Sequence, residues 1–390
     1  MQIVDVVLLG VLVAAFAVGA IRGFVASLGT IAGVVVGGVV AVWSLPLLGP
    51  LWAEVRWRSA LAAAVAVAIV LVCGALGSAI GAAVRRGAER VRLAGLDRAV
   101  GAVAGTVATA LVLLMVGQSV AVSGAPVISS AVASSRILSV IDTITPEPVD
   151  VGLARLRSVV IDDGLPTLDE LLAAPDVAPA PPVDLDDPAL QAAAQSVARV
   201  SGTAYECGVS LTGSGFVAAP GLVVTNAHVV AGVDTPLVEL PGLRAREGSV
   251  VSFDATHDIS VIAVPGLAAA PLDLSGTLAP GDAAAVEGYP LGGPLSSATA
   301  TVLSKGSAPV PDIYDATREL REVYSLAAEV EPGNSGGPLL TATGAVAGVV
   351  FARGVDVEDR GYAMTIAEVA PALRAVTADS PEVPTGACAH

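Results

Sequence analysis

At 390 residues the chain is too long for one ordinary domain, and two or three are expected. Hydrophobic residues make up 54% and charged residues 14%, whereas soluble proteins carry roughly 25% charged residues, so part of the chain must sit in lipid. The net charge of −16 and the 3% aromatic content exclude a basic phosphate-binding surface and base-stacking platforms, and with them a nucleic-acid partner.

Four apolar runs come first: Ile3–Ile21, Phe24–Trp43, Ala60–Val84 and Val100–Val122, with Asp5 their one charge. They are 19 to 25 residues long, and a bilayer core takes about 20 apolar residues as helix. Backbone groups in lipid must bond within their own segment, so the spacing predicts a membrane module of four transmembrane helices over residues 1–122. The first run lacks a basic leader and a small-residue cleavage site, and three more follow it, which argues against a cleaved signal peptide. Small residues recur four apart at Gly29, Gly33 and Gly37, at Gly77 and Gly81, and at Gly101 and Gly105. Such spacing serves either tight packing within one four-helix bundle or self-association through the membrane helices. Asp5 either reaches the interface or acts as an intramembrane carboxylate.

Arginines set the topology. Arg22 follows the first run, and Arg85, Arg86, Arg90, Arg92 and Arg98 lie between the third and fourth, against Arg56, Arg58 and Arg136 on the other side. That excess places the one–two and three–four loops in the cytoplasm and everything after Val122 outside it. Residues 1–122 carry a net charge of +4 and the remainder −20. An acidic extracytoplasmic (periplasmic) part is thus expected on a multi-pass anchor in the cytoplasmic membrane.

Residues 123–200 read as a connector, rich in Ser, Pro, Asp and Ala. Thr167 before Leu168–Leu172 predicts a short capped helix. Ala174–Pro188, with five prolines and four aspartates, resists packing into a core. Leu190–Val200 predicts one amphipathic helix. From about Gly202, short Val/Leu/Ala runs alternate with Gly, Pro and Asp, among them Gly215–Val217, Leu222–Thr225, Ile259–Val264, Ala283–Glu287, Thr299–Leu303, Ala345–Phe351 and Tyr362–Thr365. Repeated short strands with turn signals predict an all-β barrel or sandwich over 201–390, with room for two small barrels.

Chemistry concentrates in three segments of this part: Gly213-Ser214-Gly215-Phe216-Val217 with Thr225-Asn226-Ala227-His228; His257-Asp258-Ile259-Ser260; and Pro332-Gly333-Asn334-Ser335-Gly336-Gly337-Pro338. A serine hydroxyl attacks only when a base takes its proton. Ser335, in a glycine-rich turn, is the candidate nucleophile, and the Gly333 and Ser335 N–H groups would form the oxyanion hole. Of three histidines, His390 is terminal and His257 adjoins the candidate acid, which leaves His228 as base. Asp258, opening an alternating strand, would orient the imidazole, with Asp254 as its rival.

Thr-Asn-Ala-His-Val-Val, His-Asp-Ile-Ser-Val-Ile and Gly-Asn-Ser-Gly-Gly-Pro resemble the chymotrypsin-fold serine proteases of the bacterial HtrA-like branch, over about residues 202–375. The Asp5…Gly19…Arg22-Gly23 pattern and its four runs resemble the colicin V production (CvpA) membrane family. Together they are similar to the actinobacterial membrane-anchored periplasmic serine proteases linked to acid resistance. That resemblance implies a chymotrypsin-like double β-barrel, acyl-enzyme peptide hydrolysis and an extracytoplasmic site acting on cell-envelope proteins. About 50 residues follow the Gly-Gly-Pro segment, too few to finish the barrel and add a PDZ domain. Glu329, six residues before Ser335, lies where this fold places a primary specificity-pocket residue; it either favours basic side chains or faces solvent. Cys207 and Cys388 both fall in the outer part, where an oxidising compartment favours a disulfide, and the resemblance also implies a bridge. Cys73 lies within the third run. Neither zinc-spaced ligands nor a phosphate-cradling Gly-Lys-Ser/Thr loop occurs, so no metal and no cofactor is expected. The competing reading is a non-catalytic membrane scaffold or transport component with a protease-like peptide sensor, against which the complete His-Asp-Ser set weighs.

Overall fold

A computed structural model describes residues 3–48, 58–87, 94–122, 132, 135–146, 148–149, 152–153, 166–168, 180–204, 209–354 and 359–389. The chain divides into two compact units, Met1–Val160 and Ile161–His390.

The first unit is helical: α1 (Ile3–Arg22), α2 (Phe24–Leu48), α3 (Arg58–Gly87), α4 (Ala94–Val122) and the short α5 (Arg136–Ile144). Three stretches are long and apolar enough to cross a membrane, Val4–Arg22, Ala64–Gly81 and Asp97–Gly117, and the described apolar stretch of α2, Ser27–Ala41, is shorter. The glycine stripes face neighbours within this same chain. A Cβ on Gly29 would collide with the Gly77 carbonyl, one on Gly33 with the Cys73 carbonyl, and one on Gly19 with the Gly101 carbonyl. Close backbone approach between α2 and α3 and between α1 and α4 therefore accounts for the four-residue spacing. Asp97 accepts the Phe24 N–H at 2.9 Å and so caps α2 from α4.

Asp5 is held by partners within this unit. It is 1% exposed and accepts from Ser135 Oγ at 2.8 Å and from the Ile137 N–H at 3.4 Å. Ser135 in turn accepts the Leu138 N–H, so the carboxylate holds the capped start of α5. A helix thus stands where the composition reads as connector.

The second unit is built on two curled seven-stranded sheets. After β1 (Thr167–Leu168) and α6 (Pro188–Ala194), the first sheet runs through β2 (Val197–Ala204), β3 (Val209–Ala219), β4 (Leu222–Thr225), β5 (Leu237–Glu239), β6 (Arg246–Glu247), β7 (Ser249–Asp254) and β8 (Ile259–Ala263), in the order β6-β5-β2-β3-β4-β8-β7. The one-turn helix α7 (Ala227–Val230) follows β4. The second sheet comprises β9 (Ala283–Gly288), β10 (Ser296–Pro311), β11 (Arg318–Ala327), β12 (Pro338–Leu340), β13 (Val346–Gly354) and β14 (Arg360–Thr365), with β1 added parallel to β13. Because β14 pairs with both β11 and β13, six of these strands close on themselves as a barrel. Helix α8 (Ile366–Arg374) follows.

Every run expected as a strand lies in one, except that Val264 and Ala345 fall just outside β8 and β13. Of two expected helices, one lies mostly outside the described residues and the other is cut short. Thr167 and Leu168 pair with Arg353 and Gly354 as strand β1, and residues 169–172 lie outside the described residues. The helix begun at Leu190 stops at Ala194, and Val197–Val200 enter β2, paired with both β3 and β5. The β-branched residues there pack better on a pleated sheet than along a helix, and the neighbouring strands decide it.

Candidate active site

His228 sits on α7, held by the turn after β4, and is 6% exposed. Its partner is Asp258, 3% exposed, in the turn between β7 and β8. Imidazole Nδ1 lies 2.8 Å from Asp258 Oδ2 and 3.0 Å from Oδ1, and the His228 backbone N–H donates to Oδ1 at 3.0 Å. Asp258 adopts a left-handed backbone, φ 55, which costs most residues energy but is tolerated by Asp. Asn226 fixes that conformation by donating its side-chain amide to the Asp258 carbonyl at 2.8 Å. A carboxylate that only accepts requires the hydrogen on Nδ1, which leaves a lone pair on Nε2. That Nε2 is buried and without a partner.

Ser335 is fully buried, and its Oγ also lacks a partner. Its loop runs into β12. Gly333 (φ +94) and Gly336 (φ +83) take backbone conformations that suit glycine. A Cβ on Gly333 would meet the Tyr289 carbonyl, and one on Gly336 the Ser214 carbonyl. The loop's amides divide into two sets. Asn334 donates to Glu331 at 3.0 Å, Gly336 to Val350 at 2.8 Å and Gly337 to Asn334 at 2.9 Å. The Gly333 and Ser335 N–H groups donate to no described residue. The Pro332 carbonyl accepts from Leu291 N–H at 2.6 Å, so the planar trans peptide turns the Gly333 N–H to the opposite side.

Ser214 joins the two sheets at this loop. Its hydroxyl donates to the Gly333 carbonyl at 2.7 Å and accepts the Tyr289 N–H at 2.9 Å, and its own N–H donates to the Ser335 carbonyl at 2.7 Å. Thr225 Oγ1 closes the set on the Ser214 carbonyl at 2.7 Å. The Gly-Ser-Gly-Phe run pointed to this strand, but a bond spanning 119 residues has no signature in sequence.

The rival residues pair with each other. His257 Nδ1 lies 2.7 Å from Asp254 Oδ2 on the surface. Desolvation would raise the Asp254 carboxyl, but the His257 N–H and ring and the Thr256 N–H hold it below its ordinary value. Glu329 is exposed between buried Ala328 and Val330. Cys207 lies outside the described residues; Cys388 is partly buried beside Gly232. Among the described residues no three His, Cys, Asp or Glu side chains group as metal ligands.

Residues 213–349 match the family described as trypsin-like peptidase domain. The chain is 36% identical over 268 residues to the serine protease Rv3671c of Mycobacterium tuberculosis, an alignment spanning 67% of each chain. This chain is a trypsin-like serine protease. Its helical unit matches the colicin V production protein family over residues 4–146. The putative serine protease HhoB of Synechocystis is 38% identical over 162 residues, 40% of this protease and 38% of that protein. The crystal structure of the Rv3671c protease in its active form superposes with a TM-score of 0.53 at 36% identity, covering 57% of this protease and 100% of that chain. The double-sheet unit is thus chymotrypsin- and HtrA-like, attached to membrane-capable helices.

Proposed function

We propose that this protease is a membrane-tethered endopeptidase of the cell envelope, with Ser335 as nucleophile, His228 as general base and Asp258 as the residue that orients it. The carrying observation is a matched set of open valences: Ser335 Oγ and His228 Nε2 are buried without partners, beside a loop whose Gly333 and Ser335 N–H groups donate to nothing described. Ser335 Oγ attacks the scissile carbonyl while His228 Nε2 takes its proton. The two free N–H groups receive the oxyanion, a stabilisation of about 3–4 kcal/mol per donor in enzymes of this kind. His228 returns the proton to the leaving amine, and water then hydrolyses the acyl-enzyme by the same route.

The arginine excess between α3 and α4 supports a bundle of four membrane helices over 1–122, a connector over 123–200, and a protease domain over 201–390 outside the cytoplasm. Its substrates on this reading are envelope proteins, in envelope stress or acid resistance, and a Cys207–Cys388 bridge braces the domain. The proline-rich connector is a substrate as well, since tethering holds it near the site at an effective concentration of about mM. The test labels the full-length chain in detergent with a fluorophosphonate probe. The parent should react covalently, and Ser335→Ala and His228→Ala should not; labelling of Ser335→Ala at the parental rate overturns the assignment. Fragments cut between 123 and 200 should appear in the parent and not in Ser335→Ala.

A further inference from the structure

Ser214, on β3 of the first sheet, is fully buried and reaches the Ser335 loop of the second. A peptide group in such a loop is fixed when its carbonyl or its N–H has a partner. The Pro332–Gly333 group is fixed by its carbonyl, which accepts the Leu291 N–H at 2.6 Å. The Gly333–Asn334 group is fixed at both ends, by the Ser214 hydroxyl at 2.7 Å and the Glu331 carbonyl at 3.0 Å. The Asn334–Ser335 group is fixed by its carbonyl, which accepts the Gly337 N–H at 2.9 Å. The Ser335–Gly336 group is fixed by the Ser214 N–H at 2.7 Å and the Val350 carbonyl at 2.8 Å. Every partner in that set is main chain except one, the Ser214 hydroxyl.

That hydroxyl acts on both flanks of Gly333. At φ +94 this glycine lets the peptide groups beside it turn at little cost, so their partners must hold them. The carbonyl flank is held by Ser214 directly. The N–H flank is held by Leu291, in the Pro290–Gly292 turn, and the Tyr289 N–H at the head of that turn donates to the same Ser214 oxygen at 2.9 Å. One hydroxyl thus gives its proton to one flank and its lone pair to the turn that fixes the other. Glycines make room for it: a Cβ on Gly288 would lie 2.8 Å from Ser214 Oγ, and one on Gly213 3.0 Å from the Ser335 carbonyl.

We infer that Ser214 is a positioning residue for the oxyanion hole: its side chain fixes both peptide groups beside Gly333 and so keeps the Gly333 N–H free to receive the charge that forms on an attacked carbonyl. The inference rests on the His228–Asp258–Ser335 reading above. Oxyanion donors act on charge that develops in the transition state, so misplacing one lowers kcat and leaves ground-state binding nearly untouched. A hydroxyl that only packed would act differently. Losing it would shrink the fraction of folded enzyme without slowing each folded molecule.

The experiment follows fluorophosphonate labelling and the hydrolysis of fluorescein-labelled casein by the full-length protease in detergent, with Ser214→Ala and Ser214→Thr. In Ser214→Ala the labelling rate and kcat should fall about 10²-fold, the lower end of the loss when an oxyanion donor is itself removed. KM should stay within about threefold, and the labelled endpoint should match the parent. Ser214→Thr keeps the hydroxyl and should recover the rate to within about tenfold of the parent. Three results overturn the inference: a Ser214→Ala rate within about threefold of the parent, a loss carried by KM or by a lowered endpoint, or a Ser214→Thr variant as slow as Ser214→Ala. If thermal melting shows Ser214→Ala unfolded, Ser214→Cys, close in size and a weaker donor, is read the same way. Should both be unfolded, the hydroxyl holds the fold instead of the hole and the inference fails. Failure of the triad reading is separately visible, as labelling of Ser335→Ala at the parental rate.

Discussion

Two histidine–aspartate pairs lie within one turn of each other, and they behave differently. His228 and Asp258 meet at 2.8 Å with side chains 6% and 5% exposed, whereas His257 and Asp254 meet at 2.7 Å with 37% and 39% exposed. Distance does not separate them. The outer pair is local: Asp254 also accepts the N–H groups of Thr256 and His257, so it caps its own turn. The inner pair joins residues 30 apart, with Asn226 and the His228 N–H locking an aspartate that has φ 55. His257 Nε2 faces the exposed Glu319, whereas His228 Nε2 is buried and open. On the proposed assignment, what singles out His228 as base is that the fold buries it and leaves its second nitrogen unused.

The largest expected effect breaks the comparison at its acid. Asp258→Asn should lower kcat/KM by about 10³–10⁴ with the melting temperature nearly unchanged, the scale seen when the orienting acid of such a triad is neutralised. Asp254→Asn should cost less than about threefold, and equal losses in the two variants would erase the distinction. Gly336→Ala sharpens the role of the surrounding loop. Its Cβ would strike the Ser214 carbonyl at a backbone φ of +83, so we expect about 2–4 kcal/mol lower stability by denaturant titration, together with lost labelling.

Glu287 extends the contrast to a buried acid with no ion-pair partner among the described residues. It is 1% exposed, and desolvation pushes its carboxyl up to about 7 despite the Ser297 hydroxyl that donates to it at 2.8 Å. The folded state then holds a proton that the unfolded state releases near 4.5. The stability that Glu287 contributes is therefore fully present below about 4.5 and is lost as pH rises towards about 7, by about 3 kcal/mol. Glu287→Gln should flatten the fall in melting experiments between pH 4 and pH 8. A parental slope that survives the substitution assigns it to other groups. His257→Ala should likewise keep most of the parental rate, within about threefold, as befits a surface turn; a loss as deep as that of His228→Ala would reverse the assignment of the base.

The segments carrying His228, Asp258 and Ser335 were legible because short-range demands write them: a left-handed glycine on either side of a serine, a strand that ends in Thr-Asn-Ala-His. Strands with alternating Val and Ala were legible for the same reason. Ser214 and Asn226 were not, since their partners lie 119 and 32 residues along the chain and only the folded sheets bring them together. Val197–Val200 misled because an apolar run beside a helix start gives no sign of the two strands that flank it. Helix α5 was hidden because its start depends on Asp5, 130 residues away.

Ser214 also sets an order in time. The strand that carries it, and the turns bearing His228 and Asp258, leave the ribosome before the Ser335 loop, which follows His228 by 107 residues. At about 5–20 residues per second the interval is roughly 5–20 s. Even then Gly336 lacks its acceptor until Val350 has emerged. A nascent chain thus carries the proposed base and acid before the proposed nucleophile. On the proposed assignment, peptide hydrolysis waits until the Ser335 loop and β13 are both in place.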